Sequence, residues 1–334
     1  YERSNDARWR IAHTDFLGDP VTMVLPRDGA LYAALNLGHF GSKLRRKHDG
    51  KTWEECTVPA FPSAGGDAKD APSVSQVWSL EATPRTLWAG TIPGGLFRSH
   101  DNGDSWQLVE SLWNRPERKE WGGGGYDQPG IHSICINPND SRHVTVAVST
   151  GGVWMTRDDG ASWELRAQGM RAAYMPPERA FEPNIQDVHR LGQCPARPDI
   201  YWAQHHNGIF RSTDNAASWH EITQSPLSTF GFATVVHPRT PDTAWFVPAV
   251  KDETRIPVNA QLAVMRTRDG GKSFDVLRKG LPQEHAYDLV YRHGLDIDAT
   301  GDRLVMGSTT GGLWMSDDQG ESWQNLSVHL PPIY

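Results

Sequence analysis

Ser316-Asp317-Asp318-Gln319-Gly320-Glu321-Ser322-Trp323 decides the fold of this chain, because near-copies of it return along the whole sequence. The pattern reads S/T-x-D-x-G-x-S-W. Copies run from Ser99 to Trp106, from Thr156 to Trp163, from Ser212 to Trp219 with Ala216 at the glycine place, and from Thr267 to Phe274 with phenylalanine at the tryptophan place. Two weaker copies precede them, Arg46 to Trp53 and Glu2 to Trp9. Each octet reads as a tight hairpin. The aspartate accepts hydrogen bonds from backbone N–H groups ahead of it, the glycine supplies a positive φ, and the closing aromatic turns back into a core. Trp9, Trp53, Trp106, Trp163, Trp219, Phe274 and Trp323 recur roughly every 45 to 57 residues, a period of one four-stranded sheet per repeat.

These octets resemble the Asp-box, or BNR, repeats of the sialidase superfamily. That group of β-propellers includes xyloglucan-cleaving enzymes, sortilin-type receptors and photosystem II assembly factor-like proteins. The chain as a whole is most similar to bacterial WD40/YVTN/BNR-like proteins described as sialidase-like glycosyl hydrolases. The resemblance implies an all-β propeller over nearly the whole length, and it implies little about activity, since enzymes, receptors and scaffolds share the hairpin.

Working outward from the octets, apolar alternation with Gly/Pro/Asn/Asp punctuation predicts strands in every repeat. Examples are Val21 to Leu25, Gln76 to Leu80, Ile131 to Ile136 and Val144 to Val148. Inner strands are expected near Val188 to Leu191, Ala233 to Val236 and Leu289 to Tyr291. Arg8 to Ala12 resembles an outer strand and Pro331 to Tyr334 the start of an inner one. Residues 1–334 therefore read as a single domain of seven blades, the seventh shared between the termini so that no edge stays open, with six blades as the alternative.

The 334 residues carry a net charge of -7, which disfavours a nucleic-acid partner. No apolar run approaches the roughly 20 residues of a membrane-spanning helix, and no signal peptide precedes Tyr1. Cys56, Cys135 and Cys194 lie in different repeats without CxxC spacing, so neither a disulfide framework nor a zinc ribbon is suggested. These readings place the protein in the cytoplasm with no membrane contact. Of its 14 tryptophans, about half sit in the octets or on neighbouring strands, where core packing accounts for them.

A functional mouth is expected on the face away from the octets. Alignment of the inner strands puts Trp78, His132, His189, Phe232 and Tyr291 in one column near the axis. The loops between second and third strands add Gln204-His205-His206-Asn207, Gly38-His39-Phe40 and the charged Val250-Lys251-Asp252-Glu253-Thr254-Arg255. Two insertions near 20 residues, Leu112 to Gly130 and Gly169 to Asp187, enter the strands bearing His132 and His189 and read as lids or binding walls.

Three readings follow. In the first, His132, His189 and His206, joined by His205 or His39, converge on a divalent metal such as zinc, manganese, iron or nickel. Glu253 or Asp288 then acts as base, His206 takes part in catalysis, and Lys251 or Arg255 positions an anionic carbohydrate or small molecule. Trp78, Tyr126 and Gln204 complete the substrate contacts of this hydrolase or lyase. The second is metal-free glycoside chemistry on paired carboxylates, with Glu253, Asp252, Asp288, Asp127 and Glu182 as candidates. Arg255-Ile256-Pro257 matches a tripeptide of sialidases, but it sits late in the chain and a full arginine triad cannot be assigned. The third is a non-catalytic binding or assembly-factor propeller.

Overall fold

The computed structural model describes residues 1–3, 9–62 and 72–334. Among them the chain lays down six four-stranded antiparallel sheets, each built in sequence order from the inside outward. Blade one comprises Val21–Arg27, Ala30–Asn36, Ser42–His48 and Glu54–Cys56. The inner strands of the next four blades are Gln76–Ala82, Ile131–Ile136, Val188–Cys194 and Gly231–Val236. This is a six-bladed β-propeller, not the expected seven-bladed one. Trp9–Arg10 pairs with Glu2–Arg3 in a separate two-stranded sheet instead of joining Pro331–Tyr334 in a shared blade. The middle of the weak copy from Glu2 to Trp9 and the start of the proposed outer strand at Arg8 fall on residues 4–8, outside the described residues.

Blade six also departs from expectation. Its inner strand is Leu295–Ile297, whereas residues 289–291 form no strand and lead into a turn closed by Gly294 N–H donating to Tyr291 O. The apolar run Leu289-Val290 that suggested a strand is buried in loop conformation. The C-terminal residues lie against this blade. Ile333 N–H donates to Ser308 O at 3.0 Å, and Tyr334 reaches the space between Val21 of blade one and His293.

Five hydrophobic clusters lie one at each junction of consecutive blades, from blades one and two through to blades five and six. The octets explain this spacing. In the octet ending at Trp323, Asp318 Oδ1 accepts the Ser322 N–H at 2.9 Å and Oδ2 accepts the Ser322 hydroxyl at 2.6 Å, while Ser316 Oγ accepts the Gly320 N–H at 2.8 Å. The octets at Asp101, Asp158, Asp214 and Asp269 repeat the aspartate bonds with 2.9–3.0 Å to the backbone. Two consecutive residues, not one, take positive φ: Gln319 at 60° and Gly320 at 86°. The carbonyl exposed by this turn receives an arginine from the preceding blade, as in Arg46 to Asn102 O, Arg98 to Asp159 O and Arg266 to Gln319 O. Replacing Asp318 by Ala should therefore cost about 1 kcal/mol in urea unfolding. Asp318→Asn, which keeps an acceptor, should cost less.

Candidate functional site

The inner strands aim side chains at the axis by a shared device. Register shifts interrupt the inner pairing between Val77 and Ser79, Ile131 and Ser133, Val188 and Arg190, and Gly231 and Thr234. The residues inside the shifts are Trp78, His132, His189, and Phe232 together with Ala233. An extra residue in a strand turns its side chain out of the pleat, so the aligned column becomes a converging one. Trp78 meets His132 edge-on at 5.3 Å, His189 stacks on Phe232 at 4.3 Å, and Phe232 contacts Tyr291 at 4.7 Å.

A cleft of about 770 Å³ opens over this column. Its walls include Trp78, Tyr126, Phe232 and Tyr291, with Arg255 and Arg292 as its guanidinium groups. Arg292 was not expected from the sequence. It is 5% exposed, lies 4.9 Å from the Trp78 ring and 5.6 Å from that of Phe232, and its Nε and Nη2 have no hydrogen-bond partner among the described residues. Burial pushes its pKa down. Arg255 lies over the other side of the same region, 5.3 Å from Phe232, held by Asp252 at 2.5 Å.

Beside the cleft, Asp187, His189 and His206 each present a ligand atom within 4.8 Å of the others. Asp187 directly precedes the strand Val188–Cys194 and His206 directly follows the strand Arg197–His205, so adjacent strand ends bring them together. Asp187 Oδ2 is 3.8 Å from His189 Nε2 and 3.5 Å from His206 Nδ1. His189 Nδ1–H donates to Gly231 O at 2.6 Å, which leaves the Nε2 lone pair facing the carboxylate. Burial opposes charge on Asp187, but His189, His206 and Arg292 hold its carboxyl well below the usual range. The neighbouring Asp187 carboxylate raises His206, whereas burial lowers His189 to about 4 and His205 to about 3.

The remaining expected site residues are distributed differently. His132 is fully buried, with Nδ1 on Ser133 Oγ at 2.9 Å, and stands outside the converging trio. His205 accepts the Asn207 N–H at Nδ1, and exposed His39 packs at a tilt against Phe40; neither belongs to the trio. Gln204 is buried and donates to the carbonyls of His205, Gly208 and Thr229, a structural duty in place of the expected substrate contact. Asp288 accepts the hydroxyls of Ser308 and Thr310 inside blade six. Glu253 pairs with Lys251 at 3.4 Å, both well exposed and neither lining the cleft. Glu182 is held by Arg179, and Asp127 is exposed. Of the two insertions, the first lines the cleft through Gly124, Gly125 and Tyr126, and Trp121 donates to Asn184 Oδ1 at 3.1 Å, tying the second to it. Asp187 was legible in principle, since residues 187 and 189 are two apart at a strand start.

No family model matches the chain. Over 79 residues it is 34% identical to the oligoxyloglucan-reducing end-specific xyloglucanase of Emericella nidulans, a stretch of 23% of this chain and 9% of that enzyme. Among solved structures, the GH74 xyloglucanase from Xanthomonas campestris matches with a TM-score of 0.59 at 18% identity, over 89% of this chain and 45% of that one. YCF48 bound to D1 peptide matches with a TM-score of 0.58 at 16% identity, over 93% and 82%. The likeness is one of fold. It supports the all-β propeller, leaves the sialidase-like assignment unsupported, and spans less than half the length of the xyloglucanases.

Proposed function

We propose that the mouth cleft is the substrate site of a carbohydrate-directed hydrolase or lyase acting on an anionic sugar. Arg292 carries this reading. A buried guanidinium with unpartnered N–H groups, facing a cleft with aromatic walls, suits a carboxylate that completes its hydrogen bonds while Trp78, Tyr126 and Tyr291 cover the sugar ring. Asp187 and His206 stand at the edge of the same cleft as the groups able to move a proton or hold a metal, since the carboxylate lies close beside Gly124 in its lining. The stretch shared with a xyloglucanase favours a saccharide. Metal-free chemistry on two carboxylates is less well supported, because Asp19 is the sole acidic residue lining the cleft among the described residues.

Calorimetric titration with galacturonate, glucuronate and their oligomers, beside neutral xyloglucan oligosaccharides, tests the reading. Acidic sugars should bind saturably, and Arg292→Met should weaken them about 10- to 100-fold, the loss expected for hydrogen bonds to a charged group. Binding of neutral sugars alone, or equal binding by a folded Arg292→Met variant, would overturn it. The likeness to YCF48 favours a non-catalytic propeller as the second reading. Binding with no new product in chromatography of the incubated oligomers would favour that reading instead.

A further inference from the structure

We propose that Asp187, His189 and His206 bind one divalent first-row transition ion, a ligand set of one carboxylate and two imidazoles that differs from the all-histidine set suggested by sequence. The spacing argues for an ion over a simple hydrogen-bonded cluster. At 3.8 and 3.5 Å the two contacts to Asp187 Oδ2 are too long for strong hydrogen bonds. An ion with ligands at about 2.1 Å in tetrahedral geometry separates its donor atoms by about 3.4 Å, close to the two separations from Asp187 Oδ2. The imidazoles disfavour calcium and magnesium and suit zinc, manganese, iron or nickel.

The surroundings supply what such a site requires. His189 gives its Nδ1–H to the Gly231 carbonyl, the outer-sphere bond that fixes a ligating imidazole with its other nitrogen free. Asp187 is 5% exposed and its Oδ1 has no hydrogen-bond partner among the described residues. A buried carboxylate with a bare oxygen is costly unless a cation or donor completes it. His189 is walled by Phe232 and Phe230, and His206 by Tyr174 and Phe230, so apolar groups surround the polar centre. The side chain of His206 is 21% exposed, which gives an ion a route in and leaves room for a water or substrate oxygen as a further ligand. With three protein ligands and an open position, the ion could polarise a bound oxygen or lower the pKa of a water.

The inference rests on the trio alone and not on the saccharide reading, and the experiments keep the two apart. Tag-free protein is stripped with a chelator, dialysed against zinc, manganese, nickel or cobalt ions, and analysed by inductively coupled plasma mass spectrometry. About one equivalent of at least one ion should remain, and cobalt should give the visible absorption of a low-coordinate nitrogen–oxygen site. His206→Ala, at a partly exposed position, should stay folded by circular dichroism and weaken binding at least 10-fold, while His39→Ala should bind as the parent does. His189→Ala is the stronger lesion but removes a buried side chain, so it is read only if it folds. Less than a tenth of an equivalent for every ion, or unchanged binding in folded His206→Ala, would overturn the site. Sugar titration of the stripped protein, with its Arg292→Met control, reports on the cleft whatever the outcome for metal.

Discussion

Stability should fall steeply as the pH drops from about 6.5 toward 4, well above the range in which the paired aspartates of the octets protonate. His205 is fully buried and His293 partly so, both lowered to about 3 chiefly by burial, and His132, also fully buried, is lowered well below its ordinary value for the same reason. In the unfolded chain each returns to a pKa near 6.5. Between those values the unfolded state binds protons that the native fold refuses, so stability is complete above about pH 6.5 and is lost as the pH falls. Each such histidine contributes about 1.4 kcal/mol per pH unit within the window, and three of them contribute on the order of 4 kcal/mol per unit. His206 has the opposite sign. Its raised pKa stabilises the fold below about 6.5, and that contribution is lost as the pH rises through the folded value. Urea midpoints from pH 7.5 to 4.5 measure the slope. His293→Gln isolates one contribution, because a glutamine amide can replace the donor that His293 Nε2 gives to His132 O at 2.8 Å. The variant should lose about 1.4 kcal/mol per unit of slope. A flat profile in the parent, or an unchanged slope in the variant, would refute the assignment.

The same buried histidines show how far the sequence could be read. Each octet was legible because its bonds close within eight residues: Ser316, Asp318, Gly320 and Ser322 satisfy one another without help from elsewhere. The column of Trp78, His132, His189 and Phe232 was legible as an alignment, but the bulges that make it converge depend on how two strands pair. Arg46, Arg98 and Arg266 escaped notice because their carbonyl partners lie more than 50 residues away in the next blade. Histidine counting named His189 and His206, which do converge, together with His132, His205 and His39, which lie outside the trio. His205 follows the strand alternation inward to Phe210, whereas the acid that does meet His189 and His206 is Asp187, which looked like the end of an insertion. Arg292 carried no signal beyond its place beside Tyr291, since an arginine in a loop ordinarily reads as a solvated charge. The seventh blade was inferred from two terminal fragments, each resembling a strand, and among the described residues no pairing joins them.

Trp245→Ala should destabilise the protein by about 3 to 5 kcal/mol, the range for removing a large aromatic from a packed core. Trp245 is fully buried on the second strand of blade five, within the cluster shared with blade six, and its Nε1–H donates to Gln319 O at 2.9 Å. The indole thus joins one blade's sheet to the next blade's octet through both packing and a hydrogen bond. Trp245→Phe separates the two. It keeps most of the apolar contact and loses only the N–H, and the Gln319 carbonyl stays satisfied because Arg266 also donates to it at 2.8 Å. That variant should cost about 1 to 2 kcal/mol, combining a small volume loss with one hydrogen bond. Equilibrium unfolding in urea reads both. An alanine variant within 1 kcal/mol of the parent would mean that this junction of blades contributes little and that the strand ladders alone hold blade six in place. A large loss for alanine with a small one for phenylalanine would assign the cohesion between blades to apolar packing, with the arginine-to-carbonyl bonds setting which octet each blade accepts as its neighbour.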